Sequence, residues 1–326
     1  MQFLIPIKIP EVRPGIDYRQ QILLTGSCFT EHIGQRLSEV KFNILQNPSG
    51  ILFDPISVCI SLISYMEGRQ YKAEELYLHQ ELYHSWAHHS RFSGPDASEV
   101  IDRINLAQNE ATSFLKKADW LIITLGSANS YQLVSTAQTV ANCHKAPAQL
   151  FNKHMHSIAE IVTALDGMLY RLFRFNPKLR VIFTISPVRH IRDGVIENNR
   201  SKARLIEAVH HMIDKFDRLY YFPAYELVVD VLRDYRFYDI DLVHPNYAAT
   251  QFVLEKFQQT YMEEKTVDLL EQLDKIRIAR AHKPFHPGSM RHRQFREKMY
   301  EQIQALQKLH PYLALGEELA FFQDDL

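Results

Sequence analysis

What this sequence lacks first is a surplus of charge: 37 Lys and Arg face 38 Asp and Glu, for a formal net charge of −1 over 326 residues. Nothing in that balance draws the chain to nucleic acid or to an anionic membrane surface. Cysteine is scarce as well. Cys28, Cys59 and Cys143 are an odd number without metal-type spacing, and the opening MQFLIPIKIP carries no basic leader or cleavage site. A reducing, cytoplasmic location is the expectation. No apolar run reaches the roughly 18 residues of a membrane span, and repeats and low-complexity tracts are missing too. No nucleic-acid or membrane partner is therefore expected; the oligomeric state, a homodimer included, stays open.

What is present is an alternation of two patterns. QILLTG, DWLIITLG, KLRVIFTIS and RLYYFPAY are short apolar runs with little alternation, as strands buried on both faces are. Between them lie helix-period segments such as TEHIGQRLSEV, DPISVCISLISYMEG, SEVIDRINLAQNEATSFLKKA, NKHMHSIAEIVTALDGMLYRLFRF and NNRSKARLIEAVHHMIDKF. Strand–helix alternation predicts an α/β fold, a mostly parallel sheet between helix layers, over residues 1–262. A hairpin insertion is expected near 75–94, and a helical C-terminal extension over 263–326. Ligands of such sheets bind at the carboxyl ends of the strands. TGSCFT, TLGSANSY, ISPVRH and DIDLVHPN reach that edge.

Gly26-Ser27-Cys28 stands where the first strand turns into a helix, which lifts the Ser27 hydroxyl above the sheet edge and sets its N–H near a helix N-terminus. A serine hydroxyl needs a base and an orienting acid to attack at neutral pH. Asp241 and His244, three residues apart, supply both, the carboxylate taking Nδ1 and leaving Nε2 for the serine. The competing reading makes Ser27 a helix cap and His244 a surface histidine. The G-x-S-x-G elbow of α/β-hydrolases is absent.

Gly26-Ser27-Cys28-Phe29-Thr30 resembles the motif of the GSCFA family, a branch of the SGNH (GDSL-like) hydrolases and acyltransferases, with Thr in the last place instead of Ala. NPSGILFDP, TLGSANSY, ANCHKAP, ISPVRHIRDG, YFPAYE and LRDYRFYDIDLVHPN extend the resemblance over about the first 260 residues, and HKPFHPGSMRH looks familial too. The resemblance implies a three-layer α/β/α sandwich with Ser27 as nucleophile, His244 as base and Asp241 as its partner. It implies an oxyanion hole from the Ser27 N–H, Gly50 and a third donor. The superfamily's asparagine would fall at Ala128, so the expectation is that Ser127 or Asn129 stands in or that the hole rests on two backbone donors.

His88 and His89, in a hairpin that also holds His84 and Trp86, together with Asn142, His144, Arg189 and His190, are the candidates for binding substrate. Each also has a plain reading, as a polar hairpin or a structural ion pair. Cys28 reads as a small buried hydrophobe and the basic run 275–298 as a solvated helix pair. No metal and no cofactor are expected. With that resemblance, the function expected is a serine esterase or O-acyltransferase for small acyl groups such as acetyl, acting on a hydroxylated, carbohydrate-like substrate, so the partner expected is a small-molecule or saccharide ester. Two rivals remain: a non-catalytic carbohydrate-binding or scaffold protein, and a metal-dependent hydrolase built on the hairpin histidines.

Overall fold

In the computed structural model, which describes residues 4–323, the chain begins with β1 (Gln21–Gly26), α1 (Cys28–Glu39), β2 (Asn43–Gln46) and α2 (Pro55–Glu67). Residues 1–3 and 324–326, parts of the opening segment and of the tail, lie outside the description. A hairpin of β3 (Leu76–His79) and β4 (Leu82–Ser85) follows, then α3 (Ala97–Lys117) and β5 (Trp120–Leu125). Short strands β6 (Asn129–Leu133), β7 (Thr139–Val140) and β8 (Phe151–Met155) lead into α4 (Ile158–Phe175), β9 (Arg180–Ile185), α5 (Val195–Lys215) and β10 (Leu219–Phe222). The short α6 (Ala224–Glu226) continues as a π-helical stretch, Leu227–Leu232. Then come α7 (Tyr247–Tyr261), α8 (Glu264–Ala281), α9 (Met290–Leu309) and α10 (Gly316–Gln323).

The central sheet is parallel throughout, in the order β10-β9-β5-β1-β2. Successive residues feed opposite faces. Ile22, Leu24, Trp120 and Ile122 join one core with α1, α7 and α8, while Leu23, Leu121 and Ile123 join the other with α2, α3, α4 and α5. This is the expected α/β/α sandwich. The strand order reverses direction between β1 and β5, and in open parallel sheets the crevice at that switch point is where ligands bind.

Local chemistry explains the helix ends. Asp54 caps α2 by accepting from the Ser57 N–H at 2.9 Å, Pro55 fits its first turn, and Gly68 ends it in the left-handed region. Ser157 and Glu160 form a capping box on α4. That box corrects the expected helix from residue 152: the apolar period begins only after Ser157, and 151–155 are instead β8, paired antiparallel with β6. The hairpin is present as β3 and β4.

The tail does not stand apart. Leu269, Leu273, Ile276, Ile303, Leu306 and Phe322 belong to the same core as Leu24 and Leu37. Glu318, buried on α10, pairs with Lys41 at 2.8 Å and Arg280 at 3.1 Å, which ties the extension to the turn before β2. Among the described residues no helix is long and apolar enough to cross a membrane.

Candidate active site

β1 ends in a close approach that only glycine allows. Gly26 has φ +135°, and a Cβ there would stand 2.1 Å from the Thr124 carbonyl oxygen of β5. Ser27 follows at the switch point, 1% exposed, and its Oγ has no hydrogen-bond partner. It precedes α1 without making a side-chain cap bond; the Thr30 N–H goes to the Ser27 carbonyl at 2.9 Å. The capping role therefore does not account for this hydroxyl, and leaving it unpaired costs about 1–3 kcal/mol. Its neighbour Cys28 is no thiolate. Burial pushes that thiol's pKa up, against the N–H groups of Phe29 and Cys28 and the Lys202 charge, which pull it down.

Asp241 and His244 form a closed pair. Asp241 Oδ1 accepts from the N–H groups of Val243 (2.9 Å) and His244 (3.0 Å), and its Oδ2 lies 2.6 Å from His244 Nδ1. These bonds, the His244 N–H foremost, hold the carboxyl at about 2. The helix that follows is capped by Asn246, which accepts from Ala249 N–H at 3.2 Å, so Asp241 is free of that task. Leu242 turns the loop through φ +57°.

A run of contacts along the sheet edge joins the two segments. The Gly126 backbone lies between Phe53 and Ser27: a Cβ there would be 3.2 Å from the Phe53 oxygen and 3.3 Å from Ser27 Cβ. Phe53 meets the His190 ring edge-on at 5.6 Å, and the Arg189 N–H donates to the Val243 oxygen at 3.4 Å. Burial, then the Lys202 charge, lowers His190 to about 4, with His244 adding to the effect, so His190 is neutral at pH 7. Ser27 Oγ and His244 are not hydrogen-bonded to each other.

Lys202 was not read from the sequence. It is buried on α5, and its Nζ donates to the carbonyls of Gly126 and Ser186, each at 2.6 Å, which clamps the ends of β5 and β9 together. Burial lowers its pKa to about 7, while the two carbonyls favour the protonated form. A lysine inside an amphipathic helix gives no sign of this in sequence.

The expected oxyanion donors are mostly committed. Ser27 N–H donates to Thr124 O at 3.0 Å, Gly50 N–H to Asn47 O at 2.7 Å, and Ser127 N–H to Phe53 O at 3.0 Å. The Ala128 N–H goes to Ser201 Oγ at 2.7 Å. Asn129 Nδ2 donates one N–H to Ser127 Oγ at 3.3 Å and keeps the other.

The hairpin histidines divide. His89 covers Gly50, where φ is +81° and a Cβ would stand 2.1 Å from His89 Cβ, so the insertion reaches the site's rim. His88 is enclosed between Tyr71 and Phe92 with Nδ1 on Ser85 Oγ at 2.8 Å, and burial lowers it to about 3. His144 is held at both nitrogens, by Ser90 Oγ at 3.1 Å and Ser85 O at 2.8 Å, and the Asn142 side chain accepts its backbone N–H. His84 bonds Ser93 Oγ and His79 O. These rings fasten the hairpin to residues 141–144 and do not converge as metal ligands. Arg189 lies over the Tyr238 ring at 5.7 Å; its Nε and the Tyr238 hydroxyl are buried without partners.

Fold and site thus define a doubly wound α/β/α protein with an unpaired serine at the switch point and a His–Asp pair on the same sheet edge. The chain belongs to the GSCFA family: the model of that family matches residues 21–257, and that of the GSCFA domain protein C-terminal domain matches 273–326. No curated protein matches it. Among solved structures it is similar to a carbohydrate esterase family 3 protein from Talaromyces cellulolyticus (9% identity, 77% of this chain and 98% of that one, TM-score 0.35). It is also similar to a family two carbohydrate esterase from Clostridium thermocellum in complex with cellohexaose (13%, 78% and 66%, TM-score 0.36). Likenesses this distant leave the function to the site's own geometry.

Proposed function

We propose that the chain is a serine-dependent esterase or O-acyltransferase that removes or moves a small acyl group on a hydroxylated, carbohydrate-like alcohol. The observation that carries the reading is the Ser27 hydroxyl, buried, unpaired and not a cap, on the edge that also bears the His244–Asp241 pair. Ser27 Oγ attacks the ester carbonyl and His244 Nε2 takes its proton, Asp241 holding the imidazole by Nδ1. The tetrahedral oxyanion is met by the uncommitted N–H of Asn129 and by backbone N–H groups released as substrate enters. Collapse expels the alcohol, which receives the proton from His244, and water or an acceptor alcohol resolves the acyl-enzyme. The Ser27–His244 hydrogen bond forms as substrate binds, since catalytic hydrogen bonds are often made only in the complex. Arg189 and Tyr238 offer polar atoms to substrate hydroxyls.

The committed donors at Ser27 and Gly50 favour a second reading, a binding protein without turnover. Hydrolysis of p-nitrophenyl acetate separates the two. The proposal expects turnover by the wild type that Ser27→Ala removes; equal rates in both would support the second reading.

A further inference from the structure

The seven residues from His154 to Glu160 carry a feature that the proposed chemistry at Ser27 does not use. Alternation along β8 puts positions 154 and 156 on one face, and the first turn of α4 returns Glu160 over them. The result is convergence: one donor atom from each of His154, His156 and Glu160, a ring nitrogen from each histidine and a carboxylate oxygen from the glutamate, lies within 4.8 Å of the other two. Glu160 Oε1 is 2.8 Å from His154 Nε2 and 3.6 Å from His156 Nδ1. Ligands held at about 2.0–2.1 Å around a tetrahedral ion are separated by roughly 3.3 Å, so small shifts would fit these atoms to one ion.

Part of this arrangement has an ordinary explanation. The capping box accounts for Glu160 Oε2, which accepts from Ser157 N–H at 2.8 Å and Ser157 Oγ at 2.7 Å, and a surface ion pair accounts for His154 with Oε1. His156 is left over. Its side chain is 6% exposed, and its Nδ1 is buried without a hydrogen-bond partner, turned toward the other two donors. Its Nε2 is already fixed by Ser130 Oγ at 2.6 Å. That is the outer-shell arrangement of a metal-bound imidazole, one nitrogen held by the protein and the other free to ligate. Glu160 has the same form, Oε2 fastened by Ser157 and Oε1 facing inward. Arg204 of α5 steadies the strand end by donating to the carbonyls of Met155 and His156, each at 2.8 Å.

We propose that His154, His156 and Glu160 bind one divalent transition-metal ion of the zinc class. Two imidazoles and one carboxylate suit Zn²⁺, Co²⁺ or Ni²⁺ and offer too few oxygens for Ca²⁺ or Mg²⁺. The ion cross-links the end of β8 to α4 and, through Ser130, to β6, the strand that begins at Asn129. The fourth position is left to water.

The experiment uses the full chain, stripped with a chelator that is then removed, and titrated with Zn²⁺ by calorimetry and with Co²⁺ by visible absorption. The expected result is one ion per chain, tetrahedral Co²⁺ bands, and a rise in melting temperature with Zn²⁺. His156→Ala and His154→Ala are each expected to weaken Zn²⁺ binding at least tenfold and to remove the Co²⁺ bands, while His84→Ala leaves both unchanged. His154 is exposed, so its variant reads the site even where His156→Ala fails to fold. No saturable Zn²⁺ or Co²⁺ binding, or binding undiminished in His154→Ala, overturns the proposal. The readout is independent of esterase activity, so an inactive protein that still binds one ion leaves this proposal standing and counts against the one at Ser27.

Discussion

His244 Nδ1 and Asp241 Oδ2 stand 2.6 Å apart on a loop where nearly half of each side chain meets solvent, while the serine they are proposed to serve is buried. The division of labour is physical: the pair is pre-formed by its own loop's N–H groups and needs no packing from the core. His244→Ala and Asp241→Asn should each lower kcat by roughly 10³–10⁴-fold while leaving thermal melts close to wild type. Asp241 is held at about 2, below its ordinary 3.8, so it is ionised throughout the working range and the acid limb of a pH–rate profile does not come from it. Steady-state kinetics with parallel melting curves checks both; a large loss of stability in either variant contradicts the assignment of these residues to chemistry.

Asn129 retains one uncommitted side-chain N–H at the start of β6. Its loss should reduce kcat by about 10²–10³-fold with little change in KM, the pattern of an interaction made only in the transition state. Asn129→Ala measured against p-nitrophenyl acetate tests this, and an unchanged kcat places the oxyanion elsewhere.

Cys28 adjoins Ser27, and burial keeps its thiol protonated at neutral pH. Cys28→Ala is expected to keep activity within about fivefold, and iodoacetamide to react slowly with the native wild type at pH 7. Rapid alkylation coupled to inactivation would make the thiol the nucleophile instead.

Asp54, fully buried at the start of α2, is raised to about 6 from 3.8 by desolvation, with the Ser57 bonds opposing. A carboxyl raised on folding is protonated more readily in the native state, so its charge costs nothing below about pH 4 and the cost is complete above about pH 6. Asn keeps the capping oxygen without the charge. Asp54→Asn should therefore gain stability relative to wild type between pH 4 and pH 7, by about 3 kcal/mol from the shift. Urea melts at the two pH values read the difference; a constant difference contradicts it.

The sheet was legible in sequence where burial is two-sided. DWLIITLG is β5, and the other three apolar runs are β1, β9 and β10. β2 was not legible, because NILQ is a four-residue edge strand with partly exposed positions. β6 to β8 are short and polar, and Lys153, His154 and Asn152 on β8 look like helix surface until their pairing with β6 is seen. Ser27 and the Asp241–His244 pair could be proposed from sequence because a nucleophile, a base and an orienting acid are residue types that stand out at a strand end and in a loop. Lys202, Ser130 and the partners of His144 did not, since a side chain's burial and its hydrogen-bond partners depend on segments distant in sequence.

Fluorophosphonate labelling of the folded protein, followed by peptide mapping, tests the central claim most directly. The account predicts one covalent adduct per chain on Ser27, lost in Ser27→Ala and much slowed in His244→Ala. An unlabelled Ser27 in folded protein that hydrolyses esters, or an adduct on another residue, would contradict it.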